Sequence, residues 1–405
     1  MTVAHPSITP LEGTVTTPRG FRASGIRCGI KPDAPDLALV VSDAPASAAG
    51  TFTTNKMRSA PVIQNEAKLT SGRAQAVLVN SGNANACTGP RGETDARTMA
   101  AAAAKALGIA DDLVLVASTG IIGRPLPMNV ITSGMPALIA GLGADGMAAA
   151  RAIMTTDAFP KTAAAQVDLG EGRATIGGIA KGAGMIHPNM ATMIAILTTD
   201  AALEPGALRA ALRTAVDGSF NCISVDGDTS TSDSVFLLAN GASGAPTIAM
   251  GDDHYEAFVA GLTDVAGRLA RLIVQDGEGT TRIIEVVVRG ARSHSDARTA
   301  AHAVMTSLLV KTAFHGAELN WGRISAALGR SGADVLPDLL AIAIGDVWVV
   351  RGGVGVPDAY AGAEALLRAP QVRVTMDLGL GQGTFRGWTS DLTENYVRVN
   401  SGYLS

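Results

Sequence analysis

Layers of helix and mixed sheet, an α+β fold, are what this 405-residue sequence predicts. Short apolar runs of strand length recur along the chain, and alanine-rich segments of helical period lie between several of them. Their order is irregular, so a doubly wound parallel sheet is not compelled. The chain opens irregularly over its first 20 residues. Leu37–Val41 and Ala76–Asn80 then read as strands, Thr98–Leu107 as a helix and Leu113–Ala117 as a strand. Met135–Ala140 reads as a weak strand after a Ser-Gly break. Met193–Leu197 is a strand, Ala207–Val216 a helix, Ser234–Ala239 a strand, and Tyr255–Val274 a long helix. Arg282–Val288 and Val372–Met376 are strands on either side of the helical Ala361–Arg368. The stretches Gly241–Gly251 and Arg351–Asp358 are rich in turn formers and read as irregular.

Composition narrows the function classes. The 32 basic residues are set against 36 acidic ones, a net charge of −4, which gives no footprint for a polyanion. Apolar residues make up 47% and charged residues 17%, enough core for two or three domains or one large unit. Glycine numbers 47, whereas Phe, Tyr and Trp number only eight, four and three, so backbones pack closely and turn tightly. Cys28, Cys87 and Cys222 have no CxxC spacing and read as reduced thiols. The first 20 residues carry neither a signal peptide nor a transit peptide pattern. No window holds ~18 uninterrupted apolar residues, the most apolar stretch, Leu339–Val350, being broken by Asp346. The expectation is a soluble cytoplasmic protein with no nucleic-acid or membrane partner.

Several motifs are decoys. Gly141, Gly143 and Gly146 spell GxGxxG, but without a convincing strand before them or an acidic residue ~20 positions on, so a loop is expected rather than a dinucleotide site. GGIAKGAG (Gly177–Gly184) lacks the Lys-Ser/Thr pair of a phosphate loop. The six histidines show no metal spacing, and no serine sits in a GxSxG elbow.

The informative stretch is KGAGMIHPNMATMIAILTTDA, Lys181 to Ala201. Gly182 and Gly184 permit close backbone approach, and Thr192 opens an apolar run. A threonine hydroxyl is a weak nucleophile without an adjacent base, and one solution is the threonine's own α-amine, whose pKa near 7.7–8.0 suits proton transfer at neutral pH. That would require cutting the Ala191–Thr192 bond. From the residues alone a strand-capping threonine is the plainer reading.

Ten segments in order resemble the ornithine acetyltransferase family, the bifunctional glutamate N-acetyltransferases and amino-acid acetyltransferases of arginine synthesis. They are NSGNANACTG (Asn80–Gly89), ASTGIIG (Ala117–Gly123), AIMTTD (Ala152–Asp157), KGAGMIHPNMAT (Lys181–Thr192) and VDGDTSTSD (Val225–Asp233). QDGEGTT (Gln275–Thr281), LVKTAFHG (Leu309–Gly316), NWGR (Asn320–Arg323), DLT (Asp391–Thr393) and YVRVNS (Tyr396–Ser401) follow. Together with TPRGF (Thr17–Phe21) they span nearly the whole chain. One departure is GAELNWGR, where Glu318 and Leu319 replace the usual acidic-plus-proline lead.

The resemblance implies an αββα-like layered sandwich and self-cleavage between Ala191 and Thr192. Residues 1–191 would become an α chain and 192–405 a β chain, intertwined in one catalytic unit. Thr192 would then be the nucleophile, with its freed amine as base, and Thr119 and Gly120 would stabilise the oxyanion. Implied substrate contacts are Thr156, Lys181, Thr192, Glu278, Asn400 and Ser405. Lysine suits a carboxylate and glutamate an ammonium, while Asn400 and Ser405 offer neutral hydrogen bonds. Without the resemblance, Ser118–Gly120 reads as a plain turn, Glu278 as a helix-end carboxylate and Asn400 as a loop amide. No catalytic role passes to His187.

The implied reaction moves acetyl from N2-acetylornithine to glutamate by a ping-pong route through acetyl-Thr192, with acetyl-CoA a donor in some members. It uses no metal and no cofactor, in a heterotetramer of two α and two β chains. Two rivals are an N-terminal-nucleophile hydrolase (deacetylase or aminopeptidase) and a nucleotide-binding protein built on Gly141–Gly146.

Overall fold

The computed structural model describes residues 7–170, 172–187 and 193–402. The expected Ala191, Thr192 and Ser405 lie outside the described residues. In chain order the first strands and helices are β1 (Ile8–Leu11), β2 (Phe21–Ile26), β3 (Leu37–Phe52), α1 (Ala60–Lys68), β4 (Arg73–Asn83), α2 (Gly89–Leu107) and β5 (Val114–Ile121). Next come α3 (Met128–Ala140), α4 (Gly146–Ala152), β6 (Lys161–Asp168), β7 (Arg173–Lys181), β8 (Ile194–Thr199) and α5 (Pro205–Asp217). β9 (Ile223–Ser224), β10 (Ser234–Ala239), α6 (Asp253–Gln275), β11 (Ile283–Ala291), α7 (His294–Met305), α8 (Leu308–His315) and α9 (Trp321–Gly329) follow. The chain finishes with β12 (Ala341–Ile344), β13 (Val347–Arg351), β14 (Val354–Gly355), α10 (Tyr360–Leu367), β15 (Gln371–Asp377), β16 (Gly383–Ser390) and α11 (Glu394–Gly402).

The chain divides into two compact units. Among the described residues, one runs to Asn221 and adds Asp228–Ile273; the other takes Cys222–Gly227 and those from Val274 on. Each has its own mixed sheet, and the fold is α+β.

In the first unit nine strands form one sheet in the order β1-β6-β7-β8-β10-β3-β4-β5, with β2 also on β3. β3 can serve so many partners because it is 16 residues long: β2 pairs with its first half and β10 with its second, while its register against β4 shifts between Val41 and Ala46. Alternation along the strand feeds two cores. Leu37, Leu39 and Val41 pack with Met99 and Ala103 of α2 and with Ile131 and Met135 of α3. Ala38 and Val40 belong to a second cluster with Ala149 and Ala150 of α4. Small residues make the close layers possible: a Cβ added at Gly25 of β2 would lie 2.1 Å from the Ala148 carbonyl of α4.

In the second unit the order is β14-β13-β12-β15-β11-β16-β9. β11 lies parallel to β15 and antiparallel to β16.

Every strand and helix expected from periodicity is present except one, although several run further than expected: β3 continues to Phe52 and α2 starts at Gly89, well before Thr98. Met135–Ala140 is not a strand but the end of α3, because Ile131, Met135 and Leu138 recur at helical spacing and bury together. Gly141 and Gly143 follow in the turn and Gly146 opens the seven-residue α4, so no strand precedes the GxGxxG glycines. Arg351–Asp358 is more regular than expected. Gly352 and Gly353, at φ +55° and +73°, make the tight turn that joins β13 to β14. The opening residues likewise hold β1, paired with β6. No described helix is long and apolar enough to cross a membrane.

Candidate active site

Thr119 and Gly120 lie inside β5, not in a plain turn. β5 runs parallel to β4, and the register slips at Gly82 and Asn83 beside Gly120. Gly120 sits at φ +127°, and a Cβ there would lie 2.4 Å from the Gly82 carbonyl carbon. Glycine is therefore required at this point by both conformation and space. The NSGNAN segment supplies the scaffold. Asn80 donates to the Asn83 carbonyl at 2.9 Å and accepts from Ser118 Oγ at 2.6 Å. Asn83 donates to the carbonyls of Arg124 and Pro125, and Ser81 donates to that of Ala152. These buried polar groups replace the ladder that the bulge interrupts and hold Thr119 in place.

Lys181 ends β7 with its side chain 2% exposed. Its Nζ lies 3.4 Å from Thr119 Oγ1 and 4.0 Å from Asp157 Oδ2. Asp157 anchors the cluster. Its carboxylate accepts from Lys161 Nζ at 2.7 Å, Gly182 N at 2.7 Å and Thr155 N at 2.8 Å. Burial raises the Asp157 pKa, but the charges of Lys181 and Lys161 and the donated hydrogen bonds overcome that and hold it at about 2. Lys31 donates to the Met154 carbonyl at 2.8 Å. Burial lowers its pKa, and Asp36 and Asp157 oppose the fall. Thr156, half-buried, stands next to Asp157 on the segment between α4 and β6.

The first unit thus joins a buried hydroxyl, a positive-φ glycine and a buried ammonium at strand ends. Such a set can stabilise a developing oxyanion and hold a carboxylate. Asp157, Lys161 and Lys31 were missed as site residues in the sequence. The available signal was a Lys and an Asp, four residues apart, beside the apolar start of β6.

The second unit unites Glu278 and Asn400. Asn400 Nδ2 donates to Glu278 Oε2 at 2.7 Å. Asn400 is not a loop amide: it lies on α11 and also donates to the Tyr396 carbonyl one turn back. Glu278 lies on the loop between α6 and β11, which Asp391 fastens by accepting from Thr281 N at 2.8 Å and Arg282 N at 3.0 Å. Thr393 Oγ1 donates to the Gly279 carbonyl, and a Cβ at Gly279 would lie 2.5 Å from Tyr396 N. One short frame, residues 391–396, therefore fixes the loop that carries Glu278 and starts the helix that carries Asn400.

Behind that frame Lys311 is buried, with Nζ donating to Thr389 Oγ1, to Ser390 Oγ and to the Ser390 carbonyl. Burial lowers its pKa to about 8, although Asp391 and Asp226 oppose the shift. The unfolded lysine, near 10.5, holds its proton longer than the folded one. Stability is therefore expected to rise as pH climbs from about 8 towards 10.5, because the unfolded state binds more protons there. Denaturant midpoints across that range should show the rise, and Lys311→Gln should flatten it.

The ArgJ family description matches residues 22–405. A protein of Symbiobacterium thermophilum named arginine biosynthesis bifunctional protein ArgJ is 51% identical over 397 residues, 97% of this chain and 99% of its own length. A protein of the same name from Geobacter sulfurreducens is 52% identical over 390 residues, covering 95% of this chain and 99% of its own.

Proposed function

The chain belongs to the ArgJ family, and from that premise we propose that it is an acetyltransferase of arginine biosynthesis that moves acetyl from N2-acetylornithine to glutamate. The observation that carries the geometric side of this reading is the buried Lys181 ammonium 3.4 Å from the Thr119 hydroxyl.

The chain cuts itself between Ala191 and Thr192. Strands from either side of that bond are neighbours in one sheet, β7 antiparallel to β8, which supports a processed yet intertwined unit. Thr192 Oγ, with the freed amine as base, attacks the acetyl carbonyl of N2-acetylornithine. The Thr119 hydroxyl and the Gly120 N–H meet the oxyanion. Ornithine leaves, and acetyl-Thr192 is then attacked by the glutamate amine, so one amide exchange becomes two acyl transfers. Lys181 pairs with the substrate carboxylate and Glu278 with an ammonium, while Thr156, Asn400 and Ser405 complete the hydrogen bonding. The relatives are named bifunctional, which supports acetyl-CoA as a second acetyl donor to glutamate. The processed enzyme acts in the cytoplasm as a heterotetramer of two α and two β chains.

Incubation with N2-acetylornithine and glutamate is expected to yield ornithine and N-acetylglutamate in equal amounts. Release of free acetate at the same rate with or without glutamate would mark a hydrolase instead and overturn the reading. Glu278→Gln keeps a polar side chain but removes the charge. It is expected to lower kcat/KM by roughly 10–100-fold, chiefly through KM, since charge-assisted hydrogen bonds contribute about 1.5–3 kcal/mol. Steady-state kinetics with each substrate varied in turn check this.

A further inference from the structure

We propose that Lys31 is a positioning residue for acetyl transfer, its side chain tying the strand bulge that carries Gly120 to the segment that carries Thr156 and Asp157. The proposal rests on the acetyl-transfer reading above, in which Thr119 and Gly120 meet the oxyanion and Thr156 and Lys181 hold the substrate. Those groups come from separate stretches of chain, so their spacing has to be set by residues that join the stretches. Lys31 lies in the loop between β2 and β3, outside every segment that carries the family resemblance.

Three features meet at this residue. The first is a fixed backbone. Asp36, fully buried, accepts from four successive main-chain N–H groups: Cys28 at 2.6 Å, Gly29 at 3.0 Å, Ile30 at 2.6 Å and Lys31 at 2.9 Å. Burial raises the Asp36 pKa, but those bonds overcome it and hold the carboxyl below its ordinary range. The Asp36 carbonyl in turn accepts from Ser81 N at 2.9 Å, which joins the loop to β4 one residue before Gly82.

The second is the path of the stem. A Cβ added at Gly82 would stand 2.9 Å from Lys31 Cγ, and Gly82 is the residue paired with Gly120. Stem, Gly82 and Gly120 thus succeed one another at spacings that a Cβ would crowd. The third is where the ammonium ends. Lys31 Nζ donates to the Met154 carbonyl at 2.8 Å, a charge-assisted bond stronger than a neutral one. Met154 precedes Thr155, whose N–H Asp157 accepts at 2.8 Å. Two residues before Met154, the Ala152 carbonyl accepts from Ser81 Oγ at 2.6 Å. The chain leaving α4 is therefore held to β4 twice. Ser81 fixes the end of the helix, and Lys31 fixes the residues that turn from it towards Thr156. With the second tie lost, Thr156 and the Asp157–Lys181 pair are free to shift against Gly120.

The test uses the whole protein. Lys31→Met keeps the stem over Gly82 and removes the donor to Met154, whereas Lys31→Arg restores a cationic donor. Transfer from N2-acetylornithine to glutamate is measured with the active fraction counted from the stoichiometric burst of ornithine. The methionine variant is expected to lose roughly 10–100-fold in kcat per active site, the order expected for misplacing reacting groups by about 1 Å, with KM within about threefold. The arginine variant should recover to within about threefold of wild type. A brace that merely stabilised the fold would lower the active fraction and leave kcat per site unmoved. Melting curves should place the methionine variant within about 5 °C of wild type, because the Asp36 bonds that shape the loop are to main-chain groups and remain. An unchanged kcat per site, a rise in KM that carries the whole loss, arginine as slow as methionine, or a methionine chain that melts lower than this or does not fold overturns the proposal. Wild type that forms no N-acetylglutamate removes the acetyl-transfer reading and this proposal together, which separates that failure from one belonging to Lys31 alone.

Discussion

Thr192→Ala is expected to leave a single uncut chain of 405 residues and to lower acetyl transfer by at least about 10⁴-fold. Two losses coincide in that variant. Without the hydroxyl there is nothing to attack the Ala191 carbonyl, and without the cut there is no α-amine to act as base. What survives is oxyanion stabilisation and binding, which in other acyl-transfer sites leaves only a small residue of catalysis. Denaturing electrophoresis with N-terminal sequencing checks the first loss: wild type should give a fragment beginning Thr-Met-Ile-Ala-Ile-Leu. Single-turnover transfer from N2-acetylornithine checks the second. A wild-type chain that stays whole and still transfers acetyl would remove the amine from the mechanism.

Asp157→Ala is expected to cost about 3–5 kcal/mol of stability, because it strands the ammonium groups of Lys161 and Lys181 in a buried setting without their carboxylate. Transfer should fall with it, since Lys181 loses the anchor that directs it towards Thr119. Asp157→Asn should be milder, retaining acceptors for Gly182 N and Thr155 N but not the charge. The pH sense follows from the pKa. Asp157 is held at about 2, below its ordinary 3.8, so its contribution is complete above the unfolded value and is lost as pH falls through about 2. Urea midpoints between pH 5 and pH 2 should drop in wild type, and that component should be absent from both variants.

Much of the fold was legible because its buried strands are short apolar runs and its long helices carry a clear period. α3 was not, since a six-residue window with Pro136 inside hides the stripe that begins at Ile131. β14 was not, since two residues carry no period and only the Gly352-Gly353 turn reveals it. At the site, Thr119, Gly120 and Lys181 were legible through family motifs, not through their chemistry. Nothing local to Gly120 indicates that β4 bulges against it, because Gly82 lies 38 positions away at a register only the sheet defines. Asp157 escaped for a related reason. Its importance comes from Lys181 at the end of β7, which the antiparallel pairing of β6 with β7 brings back to the segment before β6, a closeness that leaves no spacing in the sequence.

The pairing of β7 with β8 from Ile176–Thr199 to Lys181–Ile194 has a thermodynamic consequence once the bond before Thr192 is cut. Before the cut these strands belong to one molecule, and their union carries only a loop-closure entropy. Afterwards they belong to two, and any unfolding that releases them must be reversed by an encounter between separate chains. The processed enzyme should therefore refold in a concentration-dependent manner, poorly when dilute, while the uncut Thr192→Ala chain refolds at a rate independent of concentration. Its persistence would then rest on a slow unfolding rate rather than on a recoverable equilibrium.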